Sequence, residues 1–224
     1  MGLEERSPRQ RLFRLARRPD PWNPPDWSRV HDDGTFGNRF DDPDRYYRVL
    51  YASSQRLGCY LETLARFRKP VGIDEKLAEE LARIEGEDDF VPIGHVPLDW
   101  FGERRMGSAI VEGRFADIYG AEWVGYLRKQ LVDVARTLGI QDIDVAILQR
   151  DSPRLVTQGA SRVAWAMGFD GVFYSSRFGN NMENWAIFEP FSITEKTSEE
   201  LRLDDPDLEK ALAIHMLAIY RPPF

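Results

Sequence analysis

The sequence is poor in the residues that form disulfides and metal sites. It contains one cysteine, Cys59, and three scattered histidines, His31, His95 and His215. A single cysteine cannot form an internal disulfide, and three histidines without regular spacing are a poor set of zinc ligands. We therefore predict no metal site and no metal-dependent chemistry.

Long hydrophobic runs are also absent. No stretch approaches the roughly 18 uncharged apolar residues that a membrane span needs. The first ten residues, MGLEERSPRQ, lack the apolar segment of a signal peptide. These two absences predict a cytoplasmic protein with no membrane partner.

Positive charge is in deficit, with 30 basic against 37 acidic residues and a formal net charge of -7. An acidic surface repels polyanions, so we expect no binding of nucleic acid by the chain itself. A local arginine pocket could still bind a small anion. At 224 residues and 42% hydrophobic composition, the chain is long enough for one domain with a sizeable core.

The pattern of hydrophobic residues predicts a single α+β domain. The first forty residues are crowded with arginine, proline, tryptophan and aspartate, which predicts an ordered loop or short extended segments instead of a helix. The predicted strands are residues 46–54, 91–98, 144–148, 171–176 and 184–190. The predicted helices are residues 54–69, 73–89, 118–138, 152–168 and 205–220, with Ser54 and Ser152 as N-caps.

Standard catalytic signatures are missing too, including the dinucleotide-binding glycine pattern, the P-loop, the nucleophile elbow and the paired cysteines. Glu62 is the first remaining candidate. Its helical neighbours Gly58, Cys59 and Ala65 are small, so we predict bare surface around its carboxylate, open to a ligand. The alternative is an exposed ion pair with Arg66 at i+4, the more common arrangement on spacing alone.

Two arginines could bind an anion together. Arg14 alternates with Phe13 and Leu15 as a strand residue would, and Arg39 follows a Gly-Asn turn. A guanidinium offers permanently charged, bidentate donors that suit a pyrophosphate. For Arg39 the alternative is an ion pair with the adjacent Asp41 or Asp42 that braces the loop.

Three further candidates lie at strand ends. Tyr51 ends the strand YRVLYA, where an aromatic residue most often belongs to the core. Ser175 and Ser176 close the strand VFYSS, where serines ordinarily assist a turn. No histidine is placed by the sequence to activate a serine nucleophile.

Taken together, the segments LFRLARR, FGNRFDDP, YRVLYASS, CYLETLA and TQGASRVAWAMGFDGVFYSS, followed by NWAIFEP, resemble the RES domain, from about Phe13 to Pro190. The resemblance implies a fold like that of ADP-ribosyltransferases and consumption of NAD as substrate. Many members are toxins of two-gene systems, each inhibited by an antitoxin with a helix-turn-helix domain. A helix-turn-helix antitoxin is therefore an expected partner.

The resemblance also implies roles for individual residues. It places the family arginines on Arg14 and Arg39, the tyrosine on Tyr51 and the glutamate on Glu62. These residues would grip the phosphates, flank the nicotinamide ribose and stabilise positive charge on that ribose. The family serine falls on Ser175 or Ser176, each of which would contact the nicotinamide amide or ribose hydroxyls, with Ser152 as a third possibility. Glu62, Arg14 and Ser175 are our predicted catalytic residues.

The chain departs from compact members of the family in its length. We predict an N-terminal segment 1–12, a catalytic domain 13–190 with an added helix and strand at about 102–149, and a C-terminal helical extension 191–224. The additions could form an altered lid, the surface of a homo-oligomer, or a replacement for antitoxin contacts.

Three functions follow from this reading. The first is an NAD glycohydrolase or phosphorylase that cleaves the nicotinamide–ribose bond, and the second is an ADP-ribosyltransferase with a protein acceptor. The third is an inactive interaction module, which the presence of the candidate residues disfavours. The first two functions differ only in the acceptor of ADP-ribose, and no motif in the sequence indicates which acceptor is used.

Overall fold

The structure is a computed structural model that describes residues 2–72, 91–150, 152–179 and 181–222. The helix predicted at 73–89 lies outside these residues. The described strands are β1 Glu5–Arg6, β2 Leu12–Arg17, β3 Val49–Ser53, β4 His95–Pro97, β5 Arg104–Val111, β6 Phe115–Asp117, β7 Gly171–Ser175, β8 Glu183–Phe188, β9 Ile193–Glu200 and β10 Ala218–Tyr220. The described α-helices are α1 Arg56–Leu64, α2 Leu98–Gly102, α3 Ala121–Gln130, α4 Val132–Leu138, α5 Val145–Gln149, α6 Leu155–Ala166 and α7 Pro206–His215.

Eight strands form the main sheet, in the order β1-β6-β7-β8-β3-β2-β5-β9. Neighbours run antiparallel, except β6 and β7, which are parallel. β4 and β10 form a separate parallel pair. Strands far apart in the chain meet at β2, where Phe13 lies opposite Ser53 on one side and Ser108 on the other.

The main sheet curls around a core that its strands supply almost entirely. Leu50, Phe173 and Trp185 share one buried cluster, and every member except Trp22 lies on a strand. Two groups of helices flank the sheet. Helices α3 to α6 pack on β3, β7 and β8, while α1, α2 and α7 pack on one another and on β2 and β5. The predicted fold, a single α+β domain with a sheet flanked by helices, is confirmed.

The helix predicted at 118–138 is broken in two. α3 ends at Gln130 and α4 begins at Val132, because Leu131 between them leaves the helical region and is buried against α6. The strand predicted at 144–148 is wrong. These residues form α5, since the Asp144 side chain caps a helix by accepting from the Ile147 backbone N–H at 2.8 Å.

Neither predicted serine cap is present. α6 begins at Leu155 without a side-chain cap, and Gln55 is the N-cap of α1. The Ser54 hydroxyl contacts Glu183 and Trp185 instead. The last predicted helix ends at His215, after which the chain enters β10.

The segments outside the predicted domain boundaries also pair with the main sheet. β1 pairs with β6, and β9 pairs with β5. Residues 102–149, predicted to add a helix and a strand, contribute β5, β6 and helices α3 to α5. The exact boundaries stay predictions.

Candidate active site

A cavity of about 650 Å³ brings four of the predicted residues together. Arg14 comes from β2, Arg39 from the loop before β3, Tyr51 from β3 and Glu62 from α1. Alternation along β3 explains part of this arrangement, because Val49 and Tyr51 line the cavity while Leu50 points into the strand core. The volume suits a small-molecule ligand.

Glu62 is oriented by two neighbours from other elements. Its Oε1 accepts hydrogen bonds from the Ser176 hydroxyl at 2.6 Å and from the Asn184 side-chain amide at 2.8 Å. Among the described residues, none donates a hydrogen bond to Oε2. One oxygen therefore fixes the carboxylate, and the other stays available to a ligand.

The small neighbours of Glu62 do not form the bare surface that the sequence predicts. Gly58 is buried so closely against β3 that an added Cβ would lie 2.3 Å from the Ser53 Oγ. Cys59 is buried too, and its thiol donates to the Phe13 carbonyl. These small residues serve helix packing, and a ligand reaches Glu62 through the cavity.

The alternative ion pair of Glu62 is also wrong. Both side chains are described, and no Arg66 nitrogen lies within 4.0 Å of a Glu62 oxygen. Arg66 is exposed, and its guanidinium lies over the Phe67 ring at 5.4 Å.

Arg39 is held at the cavity by helix and strand residues. Its Nη2 donates to the Leu148 carbonyl at 2.5 Å and to the Tyr119 hydroxyl at 3.2 Å, and the guanidinium lies 5.4 Å from the Tyr174 ring centre. Its Nε is buried without a partner among the described residues. Burial acts to lower the Arg39 pKa, but the nearby Tyr119, Tyr174 and Glu62 outweigh this effect and raise it.

The loop-bracing alternative for Arg39 does not hold. Asp41 accepts from the backbone N–H groups of Phe36 and Asn38, each at 2.9 Å, and Asp42 pairs with Arg162 at 2.7 Å. Both carboxylates brace the loop without Arg39.

Arg14 has a structural role as well as a place in the cavity. Its Nε donates to the Pro21 carbonyl at 2.6 Å and its Nη1 to the Tyr51 carbonyl at 2.7 Å. Burial lowers the Arg14 pKa to about 10, so the side chain stays charged at neutral pH. Its outer N–H groups are the ones left for a ligand.

Tyr51 belongs to the core and lines the cavity at the same time. Its hydroxyl donates to Asp41 Oδ1 at 3.0 Å and accepts from the Phe40 backbone N–H at 3.0 Å. Burial raises the Tyr51 pKa well above its ordinary value. The ring, not the hydroxyl, is therefore the part that can meet a ligand.

Two adjacent serines, Ser175 at the end of β7 and Ser176 directly after it, point in opposite directions. Ser176 reaches Glu62, whereas Ser175 lines a second cleft of about 1340 Å³ with Phe173 and Trp185. The structure thus does not bring Ser175 to Glu62, because successive side chains alternate along a strand. Ser152 is exposed and lines neither of the two spaces.

Comparison with known protein families shows which family the chain belongs to. The profile of the RES domain family matches residues 11–205. The chain belongs to the RES domain family. The resemblance of the sequence is thereby confirmed, and membership supports a toxin-type activity on NAD.

The fold of this RES domain is similar to that of a solved structure described as the crystal structure of the M. tuberculosis MbcT-MbcA toxin-antitoxin complex. The TM-score is 0.51 at 11% sequence identity, over 96% of this chain and 92% of that chain. At this identity the similarity concerns the fold alone. Among curated proteins, no match is found.

The candidate site of this RES domain also contains residues that the sequence analysis missed. Asn184 is 1% exposed and orients Glu62, and Tyr119 and Tyr174 enclose Arg39. Burial raises the pKa of both tyrosines, so their hydroxyls stay neutral. Only the alternation of side chains along β7 and β8 could have indicated these residues from the sequence. It places Tyr174 on the same face as Ser176, but it does not reveal that Asn184 also faces α1, the helix that carries Glu62.

The cavity is basic although the whole chain is acidic. The described residues that line it include seven arginines but only three carboxylates, those of Asp20, Asp26 and Glu62. Such a surplus of cations favours an anionic ligand.

Among the described residues, no group of three or more histidine, cysteine or acidic side chains is arranged to hold a metal ion. The described helices are too short or too polar to cross a membrane.

Proposed function

We propose that this RES domain protein cleaves the nicotinamide–ribose bond of NAD, as a glycohydrolase or phosphorylase. The supporting observation is the Glu62 carboxylate, fixed through one oxygen by Ser176 and Asn184, in the same basic cavity as Arg14 and Arg39. This arrangement places one oriented negative charge among donors for phosphate.

The reaction needs such a charge. As the C–N bond breaks, its electron pair leaves with nicotinamide, which becomes neutral, and positive charge develops on the ribose. The unbonded Oε2 of Glu62 would stabilise that charge in the transition state. A water or phosphate oxygen then bonds to the ribose carbon. Water would lose a proton to solvent in this step.

The remaining side chains would bind and orient the dinucleotide. Arg14 and Arg39 would hold the pyrophosphate through the N–H groups that the protein leaves free, and the Tyr51 ring would flank the nicotinamide ribose. Ser176 already donates to Glu62 and accepts from the Phe178 backbone N–H at 3.1 Å. Ser176 would therefore serve the ligand as an acceptor, for an amide N–H or a ribose hydroxyl.

The toxin role and the antitoxin partner belong to the same proposal. The similar solved chain comes from a toxin–antitoxin complex, which supports a protein partner for this chain. We expect that partner to carry a helix-turn-helix domain, as the resemblance implies. Transfer of ADP-ribose to a protein remains the second candidate, because it shares the same bond cleavage and differs only in the acceptor.

The test is to incubate the purified full chain with NAD labelled in its adenylate half. Free nicotinamide, ADP-ribose, its phosphate ester and label attached to protein are then measured, with and without inorganic phosphate. We expect release of nicotinamide by the parent protein, strong loss in Glu62→Gln, and no change in Glu209→Gln, an exposed glutamate on α7. No release by the parent under any of these conditions would overturn the proposal.

A further inference from the structure

Three arginines of the cavity have no hydrogen-bond or ion-pair partner among the described residues. Arg17, Arg29 and Arg154 are exposed, line the cavity, and make no ion pair or side-chain hydrogen bond with the described residues. By contrast, Arg14 and Arg39 donate to backbone carbonyls.

Two carboxylates lie close enough to interact electrostatically with these arginines, Asp26 with Arg29 and Asp33 with Arg154. Neither forms an ion pair with its arginine, and Asp33 accepts from the Thr35 backbone N–H at 2.9 Å. Asp20 accepts from the Trp22 backbone N–H at 2.9 Å, and Asp26 accepts from the Ser28 backbone N–H at 2.8 Å. The unpaired guanidinium groups therefore remain available to an anion from outside.

Two of these arginines line the same cavity as an aromatic ring. Phe36 lines the cavity and packs on Trp27 with ring centres 5.6 Å apart, and Trp27 begins the short helical turn that ends at Arg29. Arg154 lies close to Gly37, the next residue after Phe36, with its Nη1 3.5 Å from the position of an added Cβ. We name Phe36, Arg29 and Arg154 the rim.

The rim combines the two kinds of contact that a phosphorylated nucleoside requires. An aromatic face stacks on a base, and guanidinium groups bind a phosphate with bidentate geometry. In the proposed function Arg14 and Arg39 hold the pyrophosphate, so the rim offers charge for a further phosphate group.

We propose that the rim binds the adenosine 2′-phosphate of NADP and that the enzyme cleaves NADP in preference to NAD. This inference rests on the proposed function, since it names the dinucleotide that the same site takes. Glu62 then acts on the nicotinamide ribose, while the rim selects the other end of the molecule.

The experiment compares nicotinamide release from NADP and from NAD, as kcat/KM, in the parent and in the double variant Arg29→Gln/Arg154→Gln. We expect the parent to favour NADP by roughly tenfold or more, the effect of one or two charge-assisted hydrogen bonds. The double variant should lose that preference, because its kcat/KM for NADP falls by roughly tenfold more than its kcat/KM for NAD. Arg136→Gln is the matched control, an exposed arginine on α4 that does not line the cavity.

A binding measurement separates this inference from the proposed function. In Glu62→Gln protein, calorimetry should show tighter binding of adenosine 2′,5′-bisphosphate than of adenosine 5′-monophosphate, and the rim substitutions should remove the difference. If the bisphosphate binds tighter but neither dinucleotide is cleaved by the parent, the proposed reaction fails and the rim assignment stands.

Two results would overturn the rim assignment. The first is equal affinity for the two nucleotides together with equal cleavage of NAD and NADP. The second is a double variant whose requirement for inorganic phosphate changes while its NADP-to-NAD ratio does not, which would show that the rim binds an acceptor phosphate.

Discussion

At the scale of single residues, the orientation of Glu62 is the central feature. Ser176 and Asn184 donate to the same carboxylate oxygen from two different strand ends. Such preorganisation matters because a charge already in place costs no rearrangement when the transition state forms. The helical spacing of Glu62 predicted neither of these two contacts.

Replacing Glu62 by Gln keeps the size of the side chain and removes the charge. We expect turnover to fall by at least about a hundredfold, the scale of losing one electrostatic stabiliser, with little change in thermal stability. Arg66→Ala should change neither quantity, because the two side chains form no ion pair. Nicotinamide release and thermal melts of both variants check this, and a fully active Glu62→Gln enzyme would contradict the assignment.

Ser175, the last residue of β7, and Ser176, which follows it, form a matched pair of test positions. Ser176→Ala removes a hydrogen bond to a charged group, so we expect turnover to drop about tenfold to a hundredfold. Ser175→Ala should leave turnover within about twofold of the parent, because Ser175 lines the other cleft. Steady-state rates of the two variants test whether Ser176, and not Ser175, belongs to the site. Equal losses would show that the alternation of β7 does not govern the site.

At the scale of elements, the packing of α1 on β3 positions the candidate site. Gly58 allows this close approach, because any side chain there would meet Ser53. On its opposite side α1 packs against α7, where the His215 Nε2–H donates to the Leu61 carbonyl at 2.8 Å. The helix that carries Glu62 is thus held from two sides.

Gly58→Ala should destabilise the protein by about 1–3 kcal/mol, the usual cost of overpacking a core. The matched control is Gly125→Ala in α3, where an added Cβ has no neighbour within 4 Å. There we expect stabilisation of about 0.5–1 kcal/mol, because alanine favours a helix more than glycine does. Urea unfolding measures both, and a neutral Gly58→Ala would mean that α1 can shift freely.

His215 makes the contact between α1 and α7 sensitive to acid. Burial lowers its pKa from the ordinary value of 6.5, and the positive charges of Arg68 and Arg177 lower it further. The hydrogen bond to the Leu61 carbonyl and the negative charge of Glu62 raise it, but they offset only part of this effect. As pH falls through 6.5, the unfolded chain takes up the proton before the folded protein does, so folding stability decreases. The loss continues until the folded pKa is passed.

The variant His215→Gln removes this titration but keeps an N–H donor for Leu61. We expect the parent to be the more stable protein at pH 7.5 and its advantage to shrink at about pH 5.5, where the free histidine is largely protonated. Urea unfolding at both values gives the comparison. An advantage that is the same at the two pH values would show that His215 does not titrate differently on folding.

At the scale of the whole molecule, a negative net charge coexists with a basic cavity. The chain carries -7, yet seven arginines gather around one space. The negative net charge repels an extended polyanion such as DNA. The arginines of the cavity attract a small anion at distances shorter than the screening length of the salt solution.

The protein should therefore not bind duplex DNA by itself. In a gel shift at about 100 mM salt, where the screening length is about 10 Å, we expect no retardation of random duplex at micromolar protein. Retardation under these conditions would mean that the cavity arginines extend into a basic surface.

Local sequence determined the elements whose pattern is strong. β7 and β8 are apolar runs separated by a Gly/Asn segment, and both were predicted. β9 was missed because its residues ITEKTSEE are nearly all exposed and charged or polar, as an edge strand permits. α5 was predicted as a strand because five residues are too few to distinguish the hydrophobic period of a helix from that of a strand.

The family motifs likewise indicated Arg14, Arg39, Tyr51 and Glu62 from the sequence alone, because their order and spacing along the chain carry the resemblance. Only the tertiary structure decided that Ser176, not Ser175, meets Glu62 and that Asn184 joins it. Contacts between α1 and the ends of β7 and β8 join residues more than a hundred positions apart. Spacing along a chain determines which face of a strand a side chain occupies relative to its neighbours, but the packing of distant elements determines what that face meets.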